Sequence, residues 1–366
     1  MAVERDHMLD TIRGGAILAV LVFHLRIATG VPALDRALRP IVDVGWVGVD
    51  LFFVLSGLLV GTMILAEADS PAGFSRSRFF ARRALRLWPV LYLYLAAMMI
   101  AGGGAAWAMV SPVLLHVQNY ATHGPSHLWS LAVEEHFYLV AALGLPWLLR
   151  RGAGRVAIVL VAVLIGCLVL RIAALAGGAP PTAVQWQTPY RIDAIAAGVL
   201  LAWGERYRPG HVARVLRHRR WCIAGAAAGF ALLAYVDDVQ WRYGAGLTIA
   251  WGASALLILG LRHRPRTSPF AGPVAALGWL GGISYSLYIW HASLAQVADA
   301  LATAMGIDDP PVATAWRYAV ATGGAAAISA CIERPFMASR YRLANRSAPS
   351  DHGSAQHIAI ANSYHR

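Results

Sequence analysis

The sequence predicts an all-α, polytopic membrane protein of about ten transmembrane helices, with both termini in the cytoplasm. Three observations carry this. The 366 residues are 58% hydrophobic and only 14% charged, against about 25% charged in a soluble domain, and mean hydropathy is +0.54. Apolar runs long enough to cross a hydrocarbon core of about 30 Å recur along the chain. All 31 basic residues are arginine, and they gather in alternate loops. The net charge of +12 therefore has a topological use, and nucleic acid is not an expected partner. Absence of lysine beside abundant alanine and glycine suggests a GC-rich bacterial genome, hence a multi-pass protein of the cytoplasmic (inner) membrane in contact with its lipids. Cys167, Cys222 and Cys331 are far apart and odd in number, so no disulfide framework is expected.

A helical crossing needs about 20 apolar residues. That places spans at 12–31, 45–66, 87–106, 128–149, 155–176, 190–205, 220–236, 244–261, 276–305 and 312–333. The stretch 107–127 can hold an interfacial or re-entrant helix. The first run has no small-residue cleavage site and contains His24 and Arg26, so it reads as a retained span. Loop 67–86 holds Arg76, Arg78, Arg82, Arg83 and Arg86. Arg150, Arg151 and Arg155, then Arg206–Arg220, Arg262–Arg266 and Arg334–Arg346 follow on the same side, whereas 107–127 has no basic residue but histidine. This alternation orients the chain. Residues 1–337 form the membrane domain, and 338–366 read as a polar, disordered cytoplasmic tail.

Ionisable groups inside spans are expensive and by default point to function. Arg13 and His24 have ten residues between them. Eleven residues turn a helix by about 1100°, within about 20° of three turns, so both side chains share a face about 16 Å apart along the axis. The spacing puts Arg13 at the cytoplasmic mouth and His24 near the bilayer centre, although a snorkelling arginine beside a structural histidine fits equally well. In "GWVGVDLFFVLSGLLVG", Asp50 reads as pairing with an arginine or capping a helix, and Ser56 as back-bonding to its own helix. Arg83 and Arg86 share one face of "FFARRALRLWP", where paired guanidinium forks suit phosphate.

"HLWSLAVEEHFYL" places Trp129, Ser130 and Glu134 on roughly one face, with Glu135 adjacent, and carboxylates in an apolar helix need partners or protons. Arg191 and Asp193 in "YRIDAIAAG" read as pairing elsewhere. "ISYSLYIWH" carries Tyr285 and ends on a second deep histidine, His291. In "IERPF", Glu333 reads as bracing the Arg-rich segment. Counting rise along each span brings His24, Glu134, His291 and Asp50 to similar depth, predicting one central cavity with arginines at its cytoplasmic entrance. His116, His123 and His127 match no standard zinc spacing and have no cysteine to assist, so no metal is expected. No Walker loop or dinucleotide fingerprint is present.

Taken together these motifs resemble the acyltransferase-3 family of integral membrane O-acyltransferases, which modify polysaccharides, lipopolysaccharide, Nod factors and macrolides. The likeness covers about residues 10–337. It rests on "LDTIRGGAILAVLVFH", "GVDLFFVLSGLL", "RRALRLWP", "HLWSLAVEEHFYL", "RIDAIAAG", "ISYSLYIWH" and "IERP", in that order.

The resemblance implies a cytoplasmic acyl-CoA donor, with acetyl-CoA the expected one. It implies an acceptor hydroxyl on a carbohydrate or glycosylated small molecule. It also makes His24 the essential histidine with Arg13 its partner, and sets Arg83 and Arg86 near the CoA phosphates. His136 departs from it, since glutamine is common there. With about thirty residues after the last span, the chain is expected to act alone or to pass its acyl group to a separate protein. His24 then works as a general base or as a transient acyl carrier, and direct transfer is the simpler expectation. A secondary transporter would also hide charges at its centre. It has no use for a phosphate-type arginine pair, however, and no convincing inverted repeat is present. A receptor or scaffold would leave the buried His and Glu without a role.

Overall fold

In the computed structural model the described residues are 7–262 and 271–338. The tail from 339 onward, and Arg264 and Arg266, lie outside them. The described chain is all helix: α1 (His7–Leu25), α2 (Pro32–Asp43), α3 (Val47–Ala68), α4 (Arg76–Gly102), α5 (Trp107–Leu114), α6 (Trp129–Leu149), α7 (Ala153–Ala176) and α8 (Pro181–Trp186). Then come α9 (Thr188–Tyr207), α10 (Pro209–Arg217), α11 (Arg219–Tyr235), the single turn α12 (Val239–Trp241), α13 (Leu247–Arg262), α14 (Ala271–Gly282), α15 (Ser284–Ala304) and α16 (Pro310–Ile328). Helix overlaps each of the ten expected spans. Six helical runs among the described residues are long and apolar enough to cross a membrane: 7–25, 32–68, 76–114, 126–149, 153–176 and 239–262.

The differences from the expected boundaries have local causes. α1 lies about six residues earlier than its predicted span, because Arg26 adopts φ 59° and ends the helix. His24 therefore sits in the last turn of α1 and not at its centre. The basic segment before 87 is not a loop: Ser75 caps it by accepting from the Arg78 N–H, and Arg82, Arg83 and Arg86 ride on the first turns of α4. The stretch 107–127 contains the short α5, irregular backbone and the start of a 3-10 turn, Ser126–Leu128. The predicted span 276–305 breaks after Gly281-Gly282 into α14 and α15. Two π-helical turns, Arg242–Gly246 and Ser329–Glu333, interrupt the final helices.

α3 is the central helix, packed against α1, α6, α9 and α13. It crosses α9 at backbone contact, since a Cβ on Gly57 would lie 1.9 Å from the Ile195 carbonyl and one on Gly198 would lie 2.0 Å from that of Val54. The small-residue contact lets two buried, charge-bearing helices approach closely. Gly14 of α1 and Gly281 of α14 make the equivalent contact on the other side of the bundle. Gly198→Val is expected to cost about 1–3 kcal/mol through overpacking, read as a lower melting temperature of the detergent-solubilised protein. The outward faces of α6 and α7 carry exposed Leu139, Leu143, Ile158, Ile165 and Ile172, the reverse of a soluble surface.

Candidate functional site

Two cavities lie side by side. The first is lined by Arg13, Ser56, Arg83, Arg86, Glu134 and Tyr285, among others. α1 contributes Arg13, whose Nη1 is 3.3 Å from Asp10. α4 contributes Arg83 and Arg86, one turn apart. Arg83 is anchored by stacking on the Tyr138 ring, 4.6 Å from its centroid. The neighbouring Arg82 is committed elsewhere, donating to Glu67 at 2.6 Å. The arginine pair therefore faces the cavity with its charge unspent on a carboxylate of its own helix.

Glu134 accepts hydrogen bonds from Tyr138 and from Ser56, the latter at 3.3 Å. Ser56 thus reaches across to α6, its hydroxyl also 2.8 Å from that of Tyr138, and does not back-bond to α3 as expected. Glu135 is half-buried and lines neither cavity. Tyr285 closes one side by donating to the Leu87 carbonyl at 2.7 Å.

The second, smaller cavity is lined by His24, Trp46, Trp129, Gln185, Arg191 and Tyr243 together with apolar groups. Val49 and Tyr288 stand in the walls of both cavities. So the single central cavity expected from helix depth is two, with Glu134 on one and His24 on the other. Arg13 and His24 lie about 16 Å apart along α1, one on each side of the wall that Val49 and Tyr288 share. The Tyr288 hydroxyl is fixed, donating to the His127 carbonyl at 2.6 Å and lying 2.6 Å from Ser130.

His24 is accessible, and its Nδ1 lies 3.3 Å from Nε2 of His291, which is fully buried. The tautomers follow from the acceptors present. His291 Nδ1 faces the Leu287 and Tyr288 carbonyls at 3.2 and 2.9 Å, so it carries the proton and leaves Nε2 as an acceptor. His24 Nδ1 must then donate, which frees the lone pair on His24 Nε2. His127 packs on the opposite side of His291, ring centroids 5.1 Å apart, with its own Nε2 bonded to the Ile289 carbonyl at 3.1 Å. Among the described residues no group of ligand-type side chains is arranged to hold a metal ion.

Behind the second cavity runs a buried ionic network. Arg191 donates to Asp50 at 2.9 Å and stacks between Trp129 and Phe53, at 5.3 and 5.6 Å. Asp193 accepts from Arg171 at 2.6 Å and from the Trp251 indole at 2.8 Å. Arg171 also reaches the carbonyl of Gly244, presented by the π-helical turn, at 3.1 Å. Glu333 is buried and accepts from Ser286 and Ser329 at 2.6 and 3.0 Å, so its partners are hydroxyls and not the Arg-rich segment. His136, the departure noted in the sequence, bonds to Thr188 at 2.7 Å and ties α6 to α9.

Of the residues singled out in the sequence, Arg13, Arg83, Arg86, Ser56, Glu134 and Tyr285 meet in the first cavity, and His24, Trp129 and Arg191 in the second. His291, Asp50 and Asp193 stand directly behind these. Arg171, Tyr138 and Tyr288 escaped notice. Arg171 was detectable, as the single charge within the apolar run of α7.

An all-helical bundle with ionisable groups converging on two internal cavities defines a membrane-embedded site for polar chemistry. The chain belongs to the acyltransferase-3 family, an acyltransferase domain that matches residues 6–334. Among its relatives is the "Putative peptidoglycan O-acetyltransferase YrhL" of Bacillus subtilis, 26% identical over 77% of this chain and 47% of that protein. The peptidoglycan O-acetyltransferase OatA of Listeria monocytogenes is 23% identical over 77% of this chain and 48% of its own length. The chain thus spans about half the length of these curated relatives. No solved structure matches it.

Proposed function

We propose that the protein is a membrane O-acyltransferase that moves an acyl group, acetyl in the simplest case, from cytoplasmic acyl-CoA to a hydroxyl of a carbohydrate or glycosylated acceptor. The observation that carries this reading is the pairing of cavities. One is lined by Arg13, Arg83 and Arg86, the other is faced by His24, and Val49 and Tyr288 are common to both walls. Arginine forks recognise phosphates in two-point fashion, which suits the CoA end of the donor. The pantetheine arm then carries the thioester towards Tyr288 and His24.

His24 Nε2 takes the proton from the acceptor hydroxyl as the oxygen attacks the thioester carbonyl. The carbon–sulfur bond breaks, and the proton passes from His24 to the CoA thiolate. His291 holds the imidazole in the tautomer that leaves Nε2 free, while Glu134 orients Tyr138 and Ser56 beside the arginines and offsets part of their charge.

The ten helical positions and the alternation of arginine-rich and arginine-poor connections favour a ten-span topology in the bacterial cytoplasmic membrane, with both termini and the donor cavity's arginines on the cytoplasmic side. Domain 1–337 carries the whole site.

Purified protein incubated with acetyl-CoA should release CoA and form an acetyl ester on an added saccharide. Arg83→Ala or Arg86→Ala should raise the KM for acetyl-CoA about 10- to 100-fold, the loss of one charge-assisted contact. An unchanged KM in both variants would remove the arginines from donor binding.

A further inference from the structure

α10 joins α9 to α11 and buries none of its own residues. Its apolar face is Val212 and Val215. Val212 packs over Gly204 of α9, where an added Cβ would lie 3.5 Å from its Cγ2. Val215 is exposed and stands in the walls of two open grooves. The first groove runs over half-buried Leu200 and Leu201 of α9 and Leu259 of α13, with exposed Arg208 and His211 at its edge. The second runs over Cys222 of α11 and Leu256 of α13, with exposed Arg214, His218 and Trp221 at its edge. Each groove thus sets an aliphatic strip beside a pair of basic side chains.

The chain does not neutralise these groups. No carboxylate occurs between Glu205 and Asp237. The two acids nearest the turn into α10 are engaged elsewhere: Glu205 pairs with Arg262 and Asp69 with Arg206, both at 2.6 Å. Among the described residues Arg208, His211, Arg214 and His218 have no acidic partner. Those same two pairs, with Arg82–Glu67, gather the C-terminal ends of α3, α9 and α13 with the start of α4. So α10 lies at the arginine-rich end of the bundle. Trp221, with the Arg220 guanidinium 5.7 Å from its ring, is the kind of residue that sits at a membrane–water boundary.

A soluble anion would use the basic edges and leave the aliphatic strips bare. An apolar segment would use the strips and leave the cations unpaired. A phospholipid of net negative charge uses both, its phosphate on the guanidinium groups and its acyl chains along the leucines. We propose that α10 is an interfacial strap that binds an anionic phospholipid. Arg208 and Arg214 hold the headgroup, with His211 and His218 beside them, and the acyl chains lie in the grooves on either side of Val215. This site is separate from both cavities and does not depend on acyl transfer.

The test titrates dioleoylphosphatidylglycerol into the delipidated full-length protein in a non-ionic detergent and counts bound lipid by native mass spectrometry. Dioleoylphosphatidylcholine has the same chains and no net charge, and it should bind about 10- to 30-fold more weakly, the worth of two cations near a headgroup. Arg208→Gln/Arg214→Gln should abolish that preference. Val215→Glu sets a carboxylate in the walls of both grooves and should do the same, and it stands in if the double variant fails to fold. Arg76→Gln/Arg78→Gln removes two exposed arginines elsewhere and should leave binding unchanged. Equal affinity for the two lipids overturns the proposal, as does a preference that survives in the folded α10 variants. An equal loss in the Arg76/Arg78 variant would make the attraction a diffuse surface charge. Glycerol 3-phosphate binding as tightly as the lipid would make the site one for a free phosphate. A dimer that forms in place of the lipid complex and is lost in Val215→Glu would make the grooves a contact between two copies of the chain.

Discussion

Replacing His24 by alanine should lower acyl transfer about 10²- to 10⁴-fold, the usual contribution of a positioned general base. The loss should appear in kcat. The arginines proposed to hold the donor line the other cavity, so the KM for acetyl-CoA should move little. His24 lies in the last turn of α1, is exposed and bonds across the bundle to His291, so its removal should leave the bundle folded, and the melting temperature serves as the control. The wild-type rate should fall on acidification, because a protonated imidazole has no lone pair to offer. The His24→Ala residual rate should lack that acidic limb. Acetyl-CoA turnover by His24→Ala equal to wild type would exclude His24 from the chemistry. Mass spectrometry after mixing with acetyl-CoA alone separates direct transfer, which leaves His24 unmodified, from relay, which acylates it.

The Arg13–His24 relation was legible because it is local: two residues on one helix, fixed by 3.6 residues per turn. So were Arg83 and Arg86, three apart on another. Long-range contact was legible only in outline: rise per residue put His24 and His291 at similar depth and Asp50 was read as pairing with an arginine, but that the two rings touch across 267 positions, and that Arg191 is the arginine, no periodicity within a helix says. The bounds of the first helix were misjudged for a related reason. Rise per residue gives a distance only from a known start, and α1 begins about five residues before its apolar run and stops at Arg26. Ser56 was expected to bond its own helix, which is correct for an isolated helix, but Glu134 and Tyr138 of α6 supply better partners. The division into two cavities depends on where the Tyr288 ring lies, and that is fixed by Ser130 and the His127 carbonyl, some 158 and 161 positions away.

The largest effect on stability should come from Asp193. Arg171 is fully buried and has four hydrogen bonds to Gly244, Tyr190, Asp193 and Thr248, of which the carboxylate is the one carrying opposite charge. Asp193→Leu leaves that guanidinium uncompensated inside the bundle and also strips the Trp251 indole of its acceptor. Removing one partner of a buried pair costs about 3–5 kcal/mol, enough to consume much of the stability of a typical domain. The damage should reach the His24 cavity, because Asp193 and Arg191 lie two residues apart on α9, and Arg191 forms part of that cavity's wall.

The decisive comparison is with Arg171→Met/Asp193→Leu. If the single variant fails because a charge is stranded, deleting both charges should recover most of the loss, and the coupling from the double-mutant cycle should be large. Thermal unfolding in detergent reads all four proteins. A double variant no more stable than Asp193→Leu would mean that the loss arises from packing around residue 193, and that the ion pair does not hold α7, α9 and α13 together.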